Sequence, residues 1–268
     1  MKKIGFIGAG QMAKSLAVGI ASSNSGNVQL LIADPSDEAC HSFQNEVGEC
    51  APTTRLATNQ ELVLQSELVF LAVKPQFLAS AISGVNFGSE PIVVSVLPGF
   101  SILQLERMLG IGRIIRVMPN TPCLIGQGAS AIAAGDNVQP GDVQQVAGFL
   151  ESVGTVVQVE ERMLDSVTGL SGSGPAYVFT FIESLIDGAV LTGMPRSIAR
   201  PLALQTVIGA ATMMQQTGEH PAVLRDKVTS PGGTTIEGLK ALEETAFRDA
   251  VLSAVLAATE RSRELGDQ

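Results

Sequence analysis

A short apolar run, Lys3-Ile4-Gly5-Phe6-Ile7, stops at Gly8-Ala9-Gly10-Gln11-Met12-Ala13 and passes directly into an Ala-rich helical pattern from Met12 to Ala21. Strand, tight glycine turn and helix in that order suit a dinucleotide pyrophosphate. Gly8 permits the sharp turn, Gly10 lets the backbone approach phosphate oxygens, and Ala13 allows close packing of helix on strand. Backbone N–H groups of Ala9, Gly10, Gln11 and Met12 and the helix dipole then supply an anion site. A second strand, Val28 to Ala33, ends at Asp34, where a ribose hydroxyl would find an acceptor; Ser36 follows two residues on.

From residue 1 to about 160 β-rich runs alternate with helical segments, which predicts parallel strands covered by helices. A helix is expected from Ser36 to Glu46. Leu68–Val73 and Pro91–Val96 read as strands buried on both faces. Arg113–Val117, Ala129–Ala134 and Thr155–Val159 read as the remaining strands, with a helix from Gly141 to Glu151. In open α/β sheets ligands lie at the carboxyl ends of the strands. This rule draws Gly8–Met12, Asp34–Ser36, Ala72-Val73-Lys74-Pro75, Leu97–Gly99 and Pro119-Asn120-Thr121 to one edge, a cofactor cleft. Taken singly, Lys74 is an ordinary strand-end charge and Asn120 an ordinary turn residue; their shared placement is what argues for binding.

Beyond residue 160 the β-rich runs disappear, so the chain is expected to divide into a dinucleotide-binding domain, 1–160, and a helical domain, 161–268. A helix from Pro175 to Leu191 has so little polar surface that it must be buried nearly all round. About a hundred residues are too few to cover such faces, so a second subunit is expected. Another helix runs from Pro195 to Thr217, where Pro201 should kink it or delay its start. Helices are also expected over Thr235–Glu244 and Phe247–Leu265. Within this helical half Val228-Thr-Ser-Pro-Gly-Gly-Thr-Thr235 stands out: Gly232, Gly233 and Thr234 could offer backbone N–H groups to a carboxylate, or simply form a glycine-rich cap. Leu170–Tyr177 reads as a loop and cap, without the spacing of a nucleophile elbow.

Composition removes other classes. The net charge of −9, from 17 basic and 26 acidic residues, argues against a nucleic-acid surface. Two histidines and three cysteines without ligand spacing leave little material for a metal site or a hydrolase triad. The odd cysteine count fits a reducing compartment, so a cytoplasmic location is expected. No stretch reads as a membrane span, because each long uncharged run carries several polar residues.

Gly5-Phe-Ile-Gly-Ala-Gly10, Ala72-Val-Lys-Pro75, Arg116-Val-Met-Pro-Asn-Thr-Pro122, Leu170-Ser-Gly-Ser-Gly-Pro-Ala-Tyr177 and Asp226-Lys-Val-Thr-Ser-Pro-Gly-Gly-Thr-Thr235 together resemble the pyrroline-5-carboxylate reductase family nearly end to end. The resemblance implies a Rossmann-type doubly wound α/β domain followed by an all-α dimerisation domain, NADP(H) or NAD(H), and an active site completed in a homodimer or higher homo-oligomer. It also implies that Ser230, Gly232, Gly233 and Thr234 hold the substrate carboxylate and that Thr235 hydrogen-bonds the ring nitrogen. Two positions depart from the family pattern: Leu97-Pro98, where small residues are usual, and Asp34-Pro35, where many members carry a hydroxyl or an arginine. An acid there should favour appreciable use of NADH. Two other readings compete: a 3-hydroxyacid dehydrogenase-like enzyme, for which Lys240 is the nearest candidate base, and a non-catalytic dinucleotide sensor, which would not need the second loop.

Overall fold

The computed structural model describes residues 1–24, 26–88 and 91–266, in two compact units: 1–173 with 257–268, and 174–256. The first unit opens with β1 (Lys2–Ile7), α1 (Gln11–Ser23), β2 (Val28–Ala33), α2 (Asp37–Val47), β3 (Thr53–Arg55), α3 (Asn59–Gln65), β4 (Leu68–Leu71), α4 (Leu78–Ile82), β5 (Ile92–Ser95), α5 (Ile102–Leu109) and β6 (Ile114–Met118). β7 (Gly128–Ala134), α6 (Pro140–Glu151), β8 (Gly154–Gln158) and the single turn α7 (Leu164–Val167) follow, and the end of the last helix, from Ala257, belongs to it too.

One eight-stranded sheet has the order β3-β2-β1-β4-β5-β6-β7-β8. Alternation along its strands divides the core in two. Ile4, Phe6, Leu30, Ile32, Phe70 and Val94 face one side, with Leu16 and Ile20 of α1, Phe43 of α2 and Val146 of α6. Ile7, Leu31, Val69, Leu71 and Val93 face the other, with Leu62, Leu78 and Leu105 of α3, α4 and α5. A strand flanked by apolar layers on both sides has no polar face, which is why Leu68–Leu71 contains none but apolar residues. Phe6 stacks on Phe70 of the neighbouring strand, ring centroids 4.8 Å apart.

The sheet departs from the all-parallel expectation. β1 to β6 are parallel, whereas β7 runs antiparallel to β6, and β8 runs parallel to β7. The physical reason lies in the short connection from Pro119 to Gln127, which holds only a 3-10 turn, Thr121–Ile125; a parallel return needs a crossover of about a dozen residues or more. The strand β3 was not expected either, being short and polar.

The second unit holds α8 (Gly174–Leu191), α9 (Arg196–Thr217), α10 (Pro221–Lys227), α11 (Thr234–Glu244) and the first part of α12 (Phe247–Gly266). The chain enters α8 through a wide π-type turn, Thr168–Gly172, so most of the expected Leu170–Tyr177 loop is helical. Pro201 lies inside α9, whose start is not delayed. Phe181 packs on Phe247 with ring centroids 5.9 Å apart, and the Tyr177 hydroxyl donates to the Ala254 carbonyl at 3.3 Å.

Within the single chain no residue of α8 is buried; Phe179 is 64% exposed and Leu191 89%. The helical run Glu161–Leu191 is also long and apolar enough, by length and composition alone, to cross a membrane. The expectation that no stretch qualifies is corrected to that extent.

Candidate active site

At the carboxyl edge of β1 the chain must reverse direction beside β4. Gly8 does so with φ +104°, and a Cβ there would lie 2.8 Å from the Ala72 carbonyl oxygen. Both conformation and space therefore require glycine. Gly8 N–H donates to Ala33 O at 2.9 Å and Ala72 N–H to Ile7 O at 2.9 Å, joining the ends of β2, β1 and β4. Gly10, by contrast, faces open space: nothing lies within 4 Å of a Cβ built on it. It is the N-cap of α1, offers no side-chain cap, and precedes a first turn without an acidic residue. The leading N–H groups of α1 thus meet a clear approach, and an anion fits there. Ala13 is fully buried behind the turn.

Asp34 ties this turn to the next strand. Its Oδ2 accepts from Ala9 N–H at 2.8 Å and its Oδ1 from Ser36 N–H at 2.8 Å. Ser36 in turn caps α2, its Oγ accepting from Ala39 N–H at 3.2 Å. Beyond it, Asp37 pairs with Arg55, Oδ1 to Nη2 2.5 Å. The guanidinium hydrogen bond and charge hold the Asp37 carboxyl below the usual carboxylate range, and the same bond holds Arg55 above its ordinary value. Beneath them the buried Cys40 thiol is pushed up by desolvation. Arg55 escaped the sequence reading because Thr53–Arg55 is too short to show alternation. Its register beside Ile32 on β2 is the signal that brings it here.

Ala72 and Val73 are half-buried at the end of β4, while Lys74 is exposed and Pro75 opens a 3-10 turn. Leu97, one of the departures from the family pattern, turns into the core and is 3% exposed. Asn120 is 8% exposed, and both ends of its amide are engaged: Oδ1 accepts from Ala129 N–H at 2.9 Å, and Nδ2 donates to Ser171 O at 3.0 Å. It bridges the end of β6, the start of β7 and the wide turn.

The second loop lies in the helical unit. Gly232 has φ +65°, Gly233 N–H donates to Ser230 O at 3.1 Å, and Gly233 caps α11 without a side-chain bond. A Cβ on Gly233 would strike the Ser230 Oγ, so a larger residue there would require the Ser230 side chain to turn away. Thr234 opens α11 and Thr235 is its second residue, half-buried, while Ser230, Gly232 and Thr234 are exposed. The structure thus gathers Gly8–Met12, Asp34 and Ser36 around one turn, with Ala72–Pro75 at the adjoining strand end. It gathers Ser230–Thr235 in a second turn. Among the described residues no group of three His, Cys, Asp or Glu side chains could hold a metal ion.

Residues 161–265 match the family described as pyrroline-5-carboxylate reductase dimerisation, and residues 3–99 match that of NADP oxidoreductase coenzyme F420-dependent. Pyrroline-5-carboxylate reductase of Arabidopsis thaliana is 45% identical over 267 residues, covering 98% of this chain and 95% of the plant protein. The chain belongs to the pyrroline-5-carboxylate reductase family. The Escherichia coli reductase is 40% identical, with 98% of both chains covered. Among solved structures, the Coxiella burnetii reductase superposes with a TM-score of 0.89 at 32% identity, covering 98% of this chain and 97% of its own. The Plasmodium falciparum reductase, solved with NADP bound, gives 0.85 at 34%, covering 99% and 98%. As a pyrroline-5-carboxylate reductase, the chain is an NAD(P)H-dependent oxidoreductase acting on a C=N bond.

Proposed function

We propose a division of labour between the two glycine turns in reducing the cyclic imine to L-proline. The dinucleotide-binding part is residues 1–160, and residues 161–268 bind substrate and associate with a second copy in a homodimer or higher homo-oligomer. Backbone N–H groups of Gly10, Gln11 and Met12 hold the pyrophosphate, with Gly8 and Gly10 keeping the approach clear and Ala9 N–H held by Asp34. Asp34 and Ser36 flank the adenine ribose. Ala72, Val73, Lys74 and Pro75 line the continuation of the cleft, and Asn120 forms part of its wall. When bound, NAD(P)H supplies the hydride.

Ser230, Gly232, Gly233 and Thr234 bind the substrate carboxylate through the N-terminus of α11. The Thr235 hydroxyl accepts from the imine N–H and fixes the orientation of the ring. An imine already protonated on nitrogen is electrophilic enough to accept hydride without a strong acid, so positioning does most of the work. The observation that carries this reading is that α1 and α11 both begin on a glycine without a side-chain cap, leaving backbone donors for an anion. The exposed apolar face of α8, including Phe179 and Leu191, supports association with a second copy. Cys40, Cys50 and Cys123 are all free thiols, which supports a reducing, cytoplasmic setting.

The test is oxidation of NADH or NADPH on addition of pyrroline-5-carboxylate, followed by loss of cofactor absorbance, with proline identified as product. Tight cofactor binding without turnover would instead mark a dinucleotide sensor.

A further inference from the structure

Resting on the cofactor cleft proposed above, we infer that Asp34, Asp37 and Arg55 form a specificity set that selects the dinucleotide lacking a 2′-phosphate. In Rossmann domains the end of the second strand lies beside the adenine ribose; an acid there accepts from the 2′-hydroxyl, whereas a nearby arginine accommodates a 2′-phosphate. This chain carries both, so which group is available decides the outcome.

Asp34 is available and fixed. Its two oxygens each take one backbone bond, from Ala9 and Ser36. A carboxylate offers about four acceptor sites, so about two remain for ribose hydroxyls. The same bonds prevent it from swinging away to admit a phosphate, because leaving would strand the Ala9 and Ser36 N–H groups. Arg55 is already engaged: one Nη of its guanidinium pairs with Asp37 at 2.5 Å. Glu38 follows in the first turn of α2. Asp34 and Asp37 both act on this one paired cation, an unfavourable setting for a group carrying nearly two negative charges. The Ser36 hydroxyl is committed to capping α2. Asp37 acts as a latch: while it holds Arg55, the cation that would receive a phosphate is neutralised.

Equilibrium binding of two probes, adenosine 5′-diphosphate and adenosine 2′,5′-bisphosphate, tests this without reference to turnover. The wild-type chain is expected to bind the diphosphate at least tenfold more tightly, and kcat/KM for NADH to exceed that for NADPH. Asp37→Ser, at an exposed position, should tighten the bisphosphate several-fold and leave the diphosphate nearly unchanged. Adding Arg55→Met should erase that gain. Melting curves on each variant separate altered binding from altered folding. Equal or tighter wild-type binding of the bisphosphate, or an Asp37→Ser change that moves both probes together, would overturn the selection. A chain that binds neither probe nor either full dinucleotide overturns the cofactor cleft itself.

Discussion

The two glycine turns make the most instructive comparison in the molecule. Each opens a helix on a glycine cap, yet the Gly8 turn is braced by neighbours whereas the Ser230–Thr234 turn is held mainly by itself. Gly8 backs onto the Ala72 carbonyl, Ala9 is clipped by Asp34, and the strands behind are fully buried. The second turn closes through Gly233 and Ser230, is mostly exposed, and belongs to a unit in which α8 has no buried residue. A site whose bracing lies within one chain is complete before any partner arrives. A site on an uncovered helical unit depends on what covers that unit.

The largest effect should come from disturbing the braced turn. Gly8→Ala places a Cβ 2.8 Å from a backbone oxygen at φ +104°. We expect kcat/KM to fall about 100-fold or more, because the pyrophosphate donors shift. Steady-state kinetics and cofactor titration check this; an unaffected variant would show the turn to be yielding rather than braced.

Next comes the uncovered unit. Phe179→Glu puts a charge on the 64% exposed position of α8, and sedimentation should show a smaller particle with little activity. A fully active monomer would break the comparison, since the second turn would then be self-sufficient. Thr235→Ala follows: losing one orienting hydrogen bond, about 1.5–3 kcal/mol, should lower kcat/KM by about 10- to 100-fold with cofactor affinity little changed. Thr235→Ser should recover most of it. Were Thr235 only part of the helix start, the melting temperature would move and turnover would not.

Asn120→Ala leaves Ala129 N–H and Ser171 O without their partner, at an expected cost of about 1–3 kcal/mol in chemical denaturation. The smallest effect concerns Glu46, bonded to the nearly buried Lys14 of α1 at 2.6 Å. That bond lowers the folded Glu46 pKa below its ordinary 4.5. The contribution is therefore present above pH 4.5 and lost as pH falls through the folded value. Glu46 is 48% exposed, so screening keeps the effect within about 0.2–1 kcal/mol. Wild type and Glu46→Gln should differ near neutral pH and converge in acid, as urea midpoints at several pH values would reveal.

Local sequence determined a good deal. Gly8, Gly10 and Ala13 set strand, turn and helix because each tolerates only a narrow set of conformations or contacts. The apolar runs of β4 and β5 read as strands buried on both faces. The Ser230–Thr235 stretch was legible as a glycine turn before a helix for the same reason. Tertiary structure decided what depends on partners distant in sequence. Asp34 became a clip because Ala9, twenty-five residues earlier, faces it across β1 and β2. Arg55 reached the same edge only through the pairing of β3 with β2. Asn120 found Ser171 fifty-one residues away, and β7 reversed because its connection was too short to cross over. Hydrophobic period and glycine geometry are local and read directly from the chain. The partner of a carboxylate, an amide or a guanidinium is chosen by strand order and register, which emerge only when the sheet has formed.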